Sequence, residues 1–445
     1  MSFTTLALWA LPLTALAERP SSVGSVDSID RPIRCHWEQS QHAGLCDEAI
    51  DGLEAAWRLQ VDGLGWPEPI MDDDGILDVY VSSEGEGGAY AYAPWENAVL
   101  IDGRFGAPAH IVIDPEFDTW FYWTMLHEFA HVLQYSIDVT ETRTLAWEST
   151  ATAMEFWSDP TLLPMDDYIV DFQATPWVGL LGDGWMLWDE HGVDSLYEYG
   201  AALWLFHADA MLGGAVGQAG LDLWMEGANP GWENEPDFVD SLDALTGSWS
   251  DAWMSFSLAR IGVGTADTPG WAASYSDARF AIGVERTVRA DELPASVIPD
   301  ALPYQTGAVY IQLVGLTPGE RIRIDINGDP GVRWAAFFHT SGQSDWREDS
   351  RVEFTADASR AMVGVVNLGP ATFDADDALQ TADVAVSLER VDRAVGAEGG
   401  VELTGCGCAG LPGSRSVAWV WLATLCIAMR ARRDAGELAL EVPGG

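Results

Sequence analysis

The sequence predicts an α+β protein, and three observations carry that prediction. Up to about residue 263, short apolar strands alternate with long helix-compatible runs. Within that part, 185–262 is helical in pattern and rich in Trp and Leu, broken only at Gly213-Gly214 and Asn229-Pro230-Gly231. From 304 to 391 the pattern changes to short alternating segments between Gly, Pro and Asp turns, which reads as a β-sandwich. The expected organisation is therefore a cleaved leader over 1–17, a mixed first domain over 18–263, a linker over 264–303 rich in Ala, Ser, Asp and Pro, a β-sandwich over 304–393, and a terminal signal over 394–445.

In chain order, 33–38 reads as a strand, and 48–64 as an amphipathic helix with Ile50, Leu53, Trp57, Leu59 and Val61 toward one side. Asp72-Asp73-Asp74-Gly75 then turns the chain into a strand over 76–81. Asp72 and Asp74 offer oxygens to a Ca2+ ion, but the stretch lacks EF-hand spacing and a closing Glu, so a turn without a ligand is the stronger reading. The glycines of 85–88 carry none of the Lys or Ser/Thr of a phosphate cradle and read as a flexible loop. A strand over 109–114 leads into 119–135, a run without Gly or Pro. In the β part, six strands are expected, at 308–313, 322–326, 335–338, 351–354, 362–366 and 384–388.

The chemistry concentrates in Thr124-Met125-Leu126-His127-Glu128-Phe129-Ala130-His131-Val132-Leu133. On a helix, His127 and His131 lie one above the other, so both imidazoles reach one metal ion. Glu128 is then placed to take a proton from a water on that metal. A core helix whose two histidines bond to backbone is the plain alternative, but burying two imidazoles beside a carboxylate without a cation is costly. A third His six residues after His131 is excluded, since position 137 is Ile and position 134 is Gln. The next helix-compatible run, 145–157, supplies Glu148, 17 residues past His131, which leaves room for a loop and a returning helix. Ala151 is small enough to let the two helices approach. Glu155, two turns beyond Glu148 on the same face, is either an acceptor behind a ligand or the ligand itself.

His-Glu-x-x-His followed by a Glu on the next helix resembles the gluzincin class of zincin-like metallopeptidases. More narrowly, Met125 to Tyr135 with Trp147-Glu148-Ser149-Thr150-Ala151 is similar to a group of secreted metalloproteases from myxobacteria and their relatives, over roughly 34–227. The resemblance implies a Zn2+ ion held by His127, His131 and Glu148, with Glu128 as general base and a protein or peptide as substrate. It also implies that the strand before the active-site helix borders the cleft. Such enzymes commonly add a Tyr or His that donates to the oxyanion. Tyr199 is the first choice, with Tyr197 and His207 of the same apolar run, and His191, as alternatives.

Residues 1–17 are apolar and end in Ala15-Leu16-Ala17, as a leader cleaved on export would, although a positive start is lacking. At the other end stand Gly405-Cys406-Gly407-Cys408, an apolar stretch over 416–429, and Arg430, Arg432 and Arg433. That combination resembles the MYXO-CTERM sorting signal, which implies attachment to the cell envelope. An ordinary C-terminal membrane anchor is the alternative. In an exported chain Cys35 and Cys46 are expected to pair. A net charge of −47, with 22 arginines and no lysine, makes nucleic acid an improbable partner. The reading that unites these features is an exported zinc metalloendopeptidase held at the cell surface. Its rival is a surface-anchored binding or adhesion protein with an inactive peptidase-like domain, and a zinc hydrolase of other substrates is a weaker third.

Overall fold

The computed structural model describes residues 19–391 apart from 118–120, 161–165, 183, 193–194, 229, 232–234, 342 and 371–380, so the expected leader and terminal signal lie outside the described residues. The fold is α+β. Among the described residues no helix is long and apolar enough to cross a membrane.

The first part runs β1 (Gly24–Asp27), β2 (Ile33–Trp37), α1 (Ala43–Trp57), β3 (Leu77–Val81), β4 (Ala89–Tyr92), β5 (Val99–Ile101), β6 (Arg104–Gly106), β7 (His110–Ile113), α2 (Phe121–Ile137) and α3 (Thr144–Ser158). Five strands form a mixed sheet in the order β1-β2-β3-β7-β4. β2, β3 and β7 are parallel, and β1 and β4 close the two edges antiparallel. Alternation along the strands explains the layering. Cys35, Val79, Val81, Ile111 and Ile113 turn to one face and share a core with α1 and α2. The opposite face carries a polar ladder in which His36 stacks on Tyr80 at 4.6 Å and binds Asp78 at 2.8 Å. The Cys35–Cys46 disulfide forms as expected and ties β2 to α1.

Three local expectations change. The helix read at 48–64 begins at Ala43, ends at Trp57 and widens into a looser turn over Arg58–Gly63. The glycine loop at 85–88 is pinned, not loose. A Cβ on Gly85 would stand 2.3 Å from the Asp114 nitrogen, and the Gly87 N–H donates to Asp114 at 2.8 Å. That close packing delivers the chain into β4. Finally, β7 is paired on both sides, so the strand with a free edge beside α2 is β4.

Helices α4 (Asp166–Ala174), α5 (Gly184–His191), α6 (Tyr197–Gly200), α7 (Ala202–Leu212), α8 (Gln218–Gly227), α9 (Phe238–Thr246) and α10 (Trp249–Ala259) follow. The single helix expected over 195–207 is split at Ala201 into α6 and α7. Then come β8 (Arg286–Arg289), β9 (Ala295–Val297), β10 (Ala308–Val314), β11 (Arg321–Gly328), β12 (Trp334–His339), β13 (Ser344–Arg347), β14 (Arg351–Thr355), β15 (Arg360–Asn367) and β16 (Val384–Arg390). They build a five-stranded sheet, β13-β12-β15-β10-β8, and a four-stranded one, β14-β11-β16-β9. The stretch expected as a linker thus supplies one strand to each sheet. Val288, Ile311, Val363 and Val365 of the larger sheet share a core with Ile322, Ile324, Val386 and Leu388 of the smaller. The larger sheet's other face, with Tyr310, Ala335, Phe337 and Val366, belongs to the core of the helices. There the Tyr310 hydroxyl donates to Ser257 O at 2.9 Å and the Trp253 indole to Thr306 O at 2.8 Å.

Candidate metal centre

α2 is helical because sixteen of its seventeen residues are uncharged, none is Gly or Pro, and its apolar positions fill the core from several sides. His127 and His131, one turn apart, present their rings on the face toward α3, only 9% and 8% exposed. Gln134 lies opposite Trp147 while His127 lies opposite Glu155, so α3 returns antiparallel to α2, and Ala151 is wholly buried between neighbours.

Both imidazoles are oriented from behind. His127 Nδ1 donates to Glu155 Oε1 at 2.6 Å, and His131 Nδ1 donates to Gln134 Oε1 at 2.7 Å. Carboxylate and amide oxygens only accept, so each Nδ1 carries a proton, and Nε2 is the nitrogen that presents a lone pair to a metal when the ring is neutral. The two Nε2 atoms stand 3.0 Å apart, and Glu148 Oε2 is 3.1 Å from the first and 3.6 Å from the second. These three atoms lie close enough together to share one metal ion. Donors about 2.0–2.1 Å from a zinc ion at tetrahedral angles stand about 3.3 Å apart, a value these separations bracket. Two imidazoles and one carboxylate are also a donor set that zinc takes, so the residues present fit the ion the sequence implied. Among the described residues this is the one group of three such donors close enough to share a metal.

Electrostatics follow the same geometry. Burial alone draws the His127 ring down, but its bonds to Glu148 and Glu155 lift it well above the ordinary range. Burial pushes Glu148 up, yet the facing imidazoles, His131 first, hold it far below the usual carboxylate range. Glu128, 6% exposed, is raised by burial. One of its oxygens accepts the Ala91 N–H from the free edge of β4, and Oε2 has no hydrogen-bond partner. Glu128 borders a cavity of about 250 Å³ that also holds His127, His131 and Glu148, with Ala89 and Ala91 of β4 along one side.

Of the residues considered as oxyanion donors, the structure brings Tyr199 to this cavity and leaves the others elsewhere. Tyr199 stacks on the His127 ring at 5.7 Å, and burial and Glu148 raise its phenol well above the ordinary value. It is fixed by the close approach of α6 to α4, where a Cβ on Gly200 would lie 2.1 Å from Tyr168 O. Tyr197 is core, donating to Gly179 O. His207 packs among Trp204, Phe256 and Trp271. His191 is exposed beside Tyr304. Glu155 orients His127 and stands behind the donors. Asp72 and Asp74 pair with Arg19 and Arg34, which meets the charge that Ca2+ would otherwise meet. Sequence reasoning passed over Tyr135, Thr144, Trp147 and the β4 alanines, all of which line the cavity. Of these, only Tyr135 was open to a spacing argument, four residues after His131 on the same helix face.

No protein-family model matches this chain, and no curated protein is significantly similar to it. Solved structures that match include a mutant of PliG-Ec, a periplasmic lysozyme inhibitor of g-type lysozyme from Escherichia coli. It is 10% identical over 24% of this chain and 100% of that one, with a TM-score of 0.17. Another is a family GH115 4-O-methyl-alpha-glucuronidase with specificity for decorated arabinogalactans, 8% identical over 63% of this chain and 46% of that one, with a TM-score of 0.16. Likeness this slight carries no argument about fold or function.

Proposed function

We propose that the protein is a zinc endopeptidase of gluzincin type, with a zincin-like domain and a β-sandwich, exported and held at the cell envelope. The observation that carries the reading is the meeting of His127 Nε2, His131 Nε2 and Glu148 Oε2 beside a buried carboxylate with an unpartnered oxygen. Zinc, when bound, supplies a Lewis acid for the scissile carbonyl and makes water nucleophilic near neutral pH. Glu128 takes the proton at Oε2 and returns it to the leaving nitrogen, and its raised pKa suits a group that must do both. Tyr199, kept protonated by burial, donates from its hydroxyl to the developing oxyanion. The edge of β4 that no other strand pairs offers its backbone groups, apart from the Ala91 N–H that Glu128 holds, to an extended peptide. Among the described residues no Arg lines the cavity to hold a terminal carboxylate, which favours bonds in the interior of a chain.

The test is Glu128→Gln, assayed on casein or quenched peptides together with zinc content. The expected result is a loss of about 10²–10⁴-fold in turnover with zinc retained. Full activity in that variant refutes the role of Glu128, and wild-type protein that binds zinc without turnover favours the binding-protein reading.

A further inference from the structure

One wall of the cavity is aromatic and built to stay in place. Tyr135 follows His131 by one helical turn, and its ring meets that of Trp147 at 4.6 Å. Trp147 lies 6.2 Å from the His131 ring, so the wall begins where the metal donors end. Three contacts fix Trp147. Its indole N–H donates to Glu141 O at 3.1 Å, its carbonyl accepts from Gln134 at 3.0 Å, and its ring meets that of Trp224 edge to face at 4.8 Å. Trp224 is itself held by Thr150 at 3.1 Å. Rings restrained in this way lose little freedom when a ligand packs on them, which favours recognition.

The rest of the cavity complements that wall. Ala89 and Ala91 are small and leave room facing it, and Thr144 at the start of α3 adds only a hydroxyl and a methyl. Among the described lining residues the acidic groups are Glu128 and Glu148, both turned to the metal centre, and there is no Arg. The wall itself, Tyr135, Trp147 and Thr144, carries no ionised group, so a carboxylate seated against it gives up water without gaining a partner, inside a molecule carrying −47 overall.

We propose that the Tyr135–Trp147 wall, with Thr144 at its rim, is the specificity subsite of the cleft, taking an aromatic or large aliphatic side chain next to the scissile bond and excluding acidic ones. This rests on the endopeptidase reading and deepens it by naming the substrate class. Trp147 acts here by touching substrate, not by taking part in bond breaking.

The experiment uses the zinc-loaded protein and quenched peptides that differ only at the two residues flanking one bond, with cleavage mapped by mass spectrometry. At one flanking position Phe, Tyr or Leu should exceed Ala in kcat/KM by ~10-fold or more, and Asp or Glu should fall below Ala. Trp147→Ala should bring the aromatic-to-Ala ratio close to one. Thr144→Trp keeps Trp147 and fills the space before it, so it should turn the preference toward Gly and Ala. It decides the matter if Trp147→Ala does not fold. Wild-type cleavage without preference, or a preference unchanged in a folded Trp147→Ala or in Thr144→Trp, overturns the subsite while leaving the peptidase reading intact. Cleavage of no peptide by zinc-loaded wild type overturns the peptidase reading and the subsite with it.

Discussion

Gln134 and Glu155 do the same work for different imidazoles, one as a neutral amide and the other as a carboxylate. Each accepts an Nδ1 proton and so aims an Nε2 lone pair at the point shared with Glu148. Gln134 does more, because its Nε2 also donates to Trp147 O and fixes the start of α3 against α2. Removing such an orienting partner typically weakens metal binding about 10–100-fold. Gln134→Ala and Glu155→Ala should each show that loss in zinc competition with a chromogenic chelator, and unchanged affinity in both would contradict the orientation argument. At this scale His127, Glu128 and His131 were legible in the four-residue step of one helix, while a returning helix offered both Glu148 and Glu155, between which the family resemblance and not geometry chose Glu148. Tyr135 was open to the same spacing argument, yet a Tyr on an apolar helix is ordinarily core, so its position beside the metal donors gave no chemical signal.

Among the elements, β4 and α1 show what sequence could and could not supply. Ala89–Tyr92 is four residues long, preceded by Gly87-Gly88 and followed by Ala93-Pro94, and carries no polar alternation, so neither its existence nor its edge position could be read. Its place follows from the tight packing of Gly85 on β7 and from pairing with Ile111 and Ile113, both tertiary facts. The same reasoning explains why β7, a conspicuous apolar strand, was expected at the cleft and lies one strand inside it. α1 was read late at its start and long at its end, but its docking was foreseeable through the cysteines. The disulfide closes a loop across an 11-residue separation between β2 and α1. In the chain-entropy view a closure of that size contributes about 3 kcal/mol. A Cys35→Ser, Cys46→Ser double variant should lose roughly that in denaturant unfolding under non-reducing conditions, and an unchanged midpoint would show that the bridge is not structural.

For the whole molecule, residues 19–391 form one compact unit. The reason was present in the sequence: runs such as Val309-Tyr310-Ile311 and Ala335-Ala336-Phe337-Phe338 are apolar at every position, not at alternate ones. Val309 and Ile311 face the smaller sheet while Tyr310 faces the helices, so this sheet is covered on both sides. Two buried histidines make the stability of this body sensitive to acid. Burial pulls both His110 and His207 down to about 4, against about 6.5 when unfolded. As pH falls below 6.5 the unfolded chain takes up protons first, so their contribution is complete above pH 6.5 and lost as pH drops through about 4, on the order of 3 kcal/mol each. Glu141, pushed up to about 7 by burial, acts in the opposite sense and is lost as pH rises through 7. His207→Gln should therefore flatten the stability-against-pH curve between pH 6.5 and 4, and an unaltered slope would contradict the assignment. The most direct test of the central claim is metal-edge X-ray absorption on the purified zinc-loaded protein beside His131→Ala and Glu148→Ala. The account predicts one zinc per chain with two imidazoles and a carboxylate at about 2.0–2.2 Å, and loss of one matching protein donor in each variant. A wild-type protein that takes up no metal, or a metal whose surroundings neither substitution alters, would contradict it.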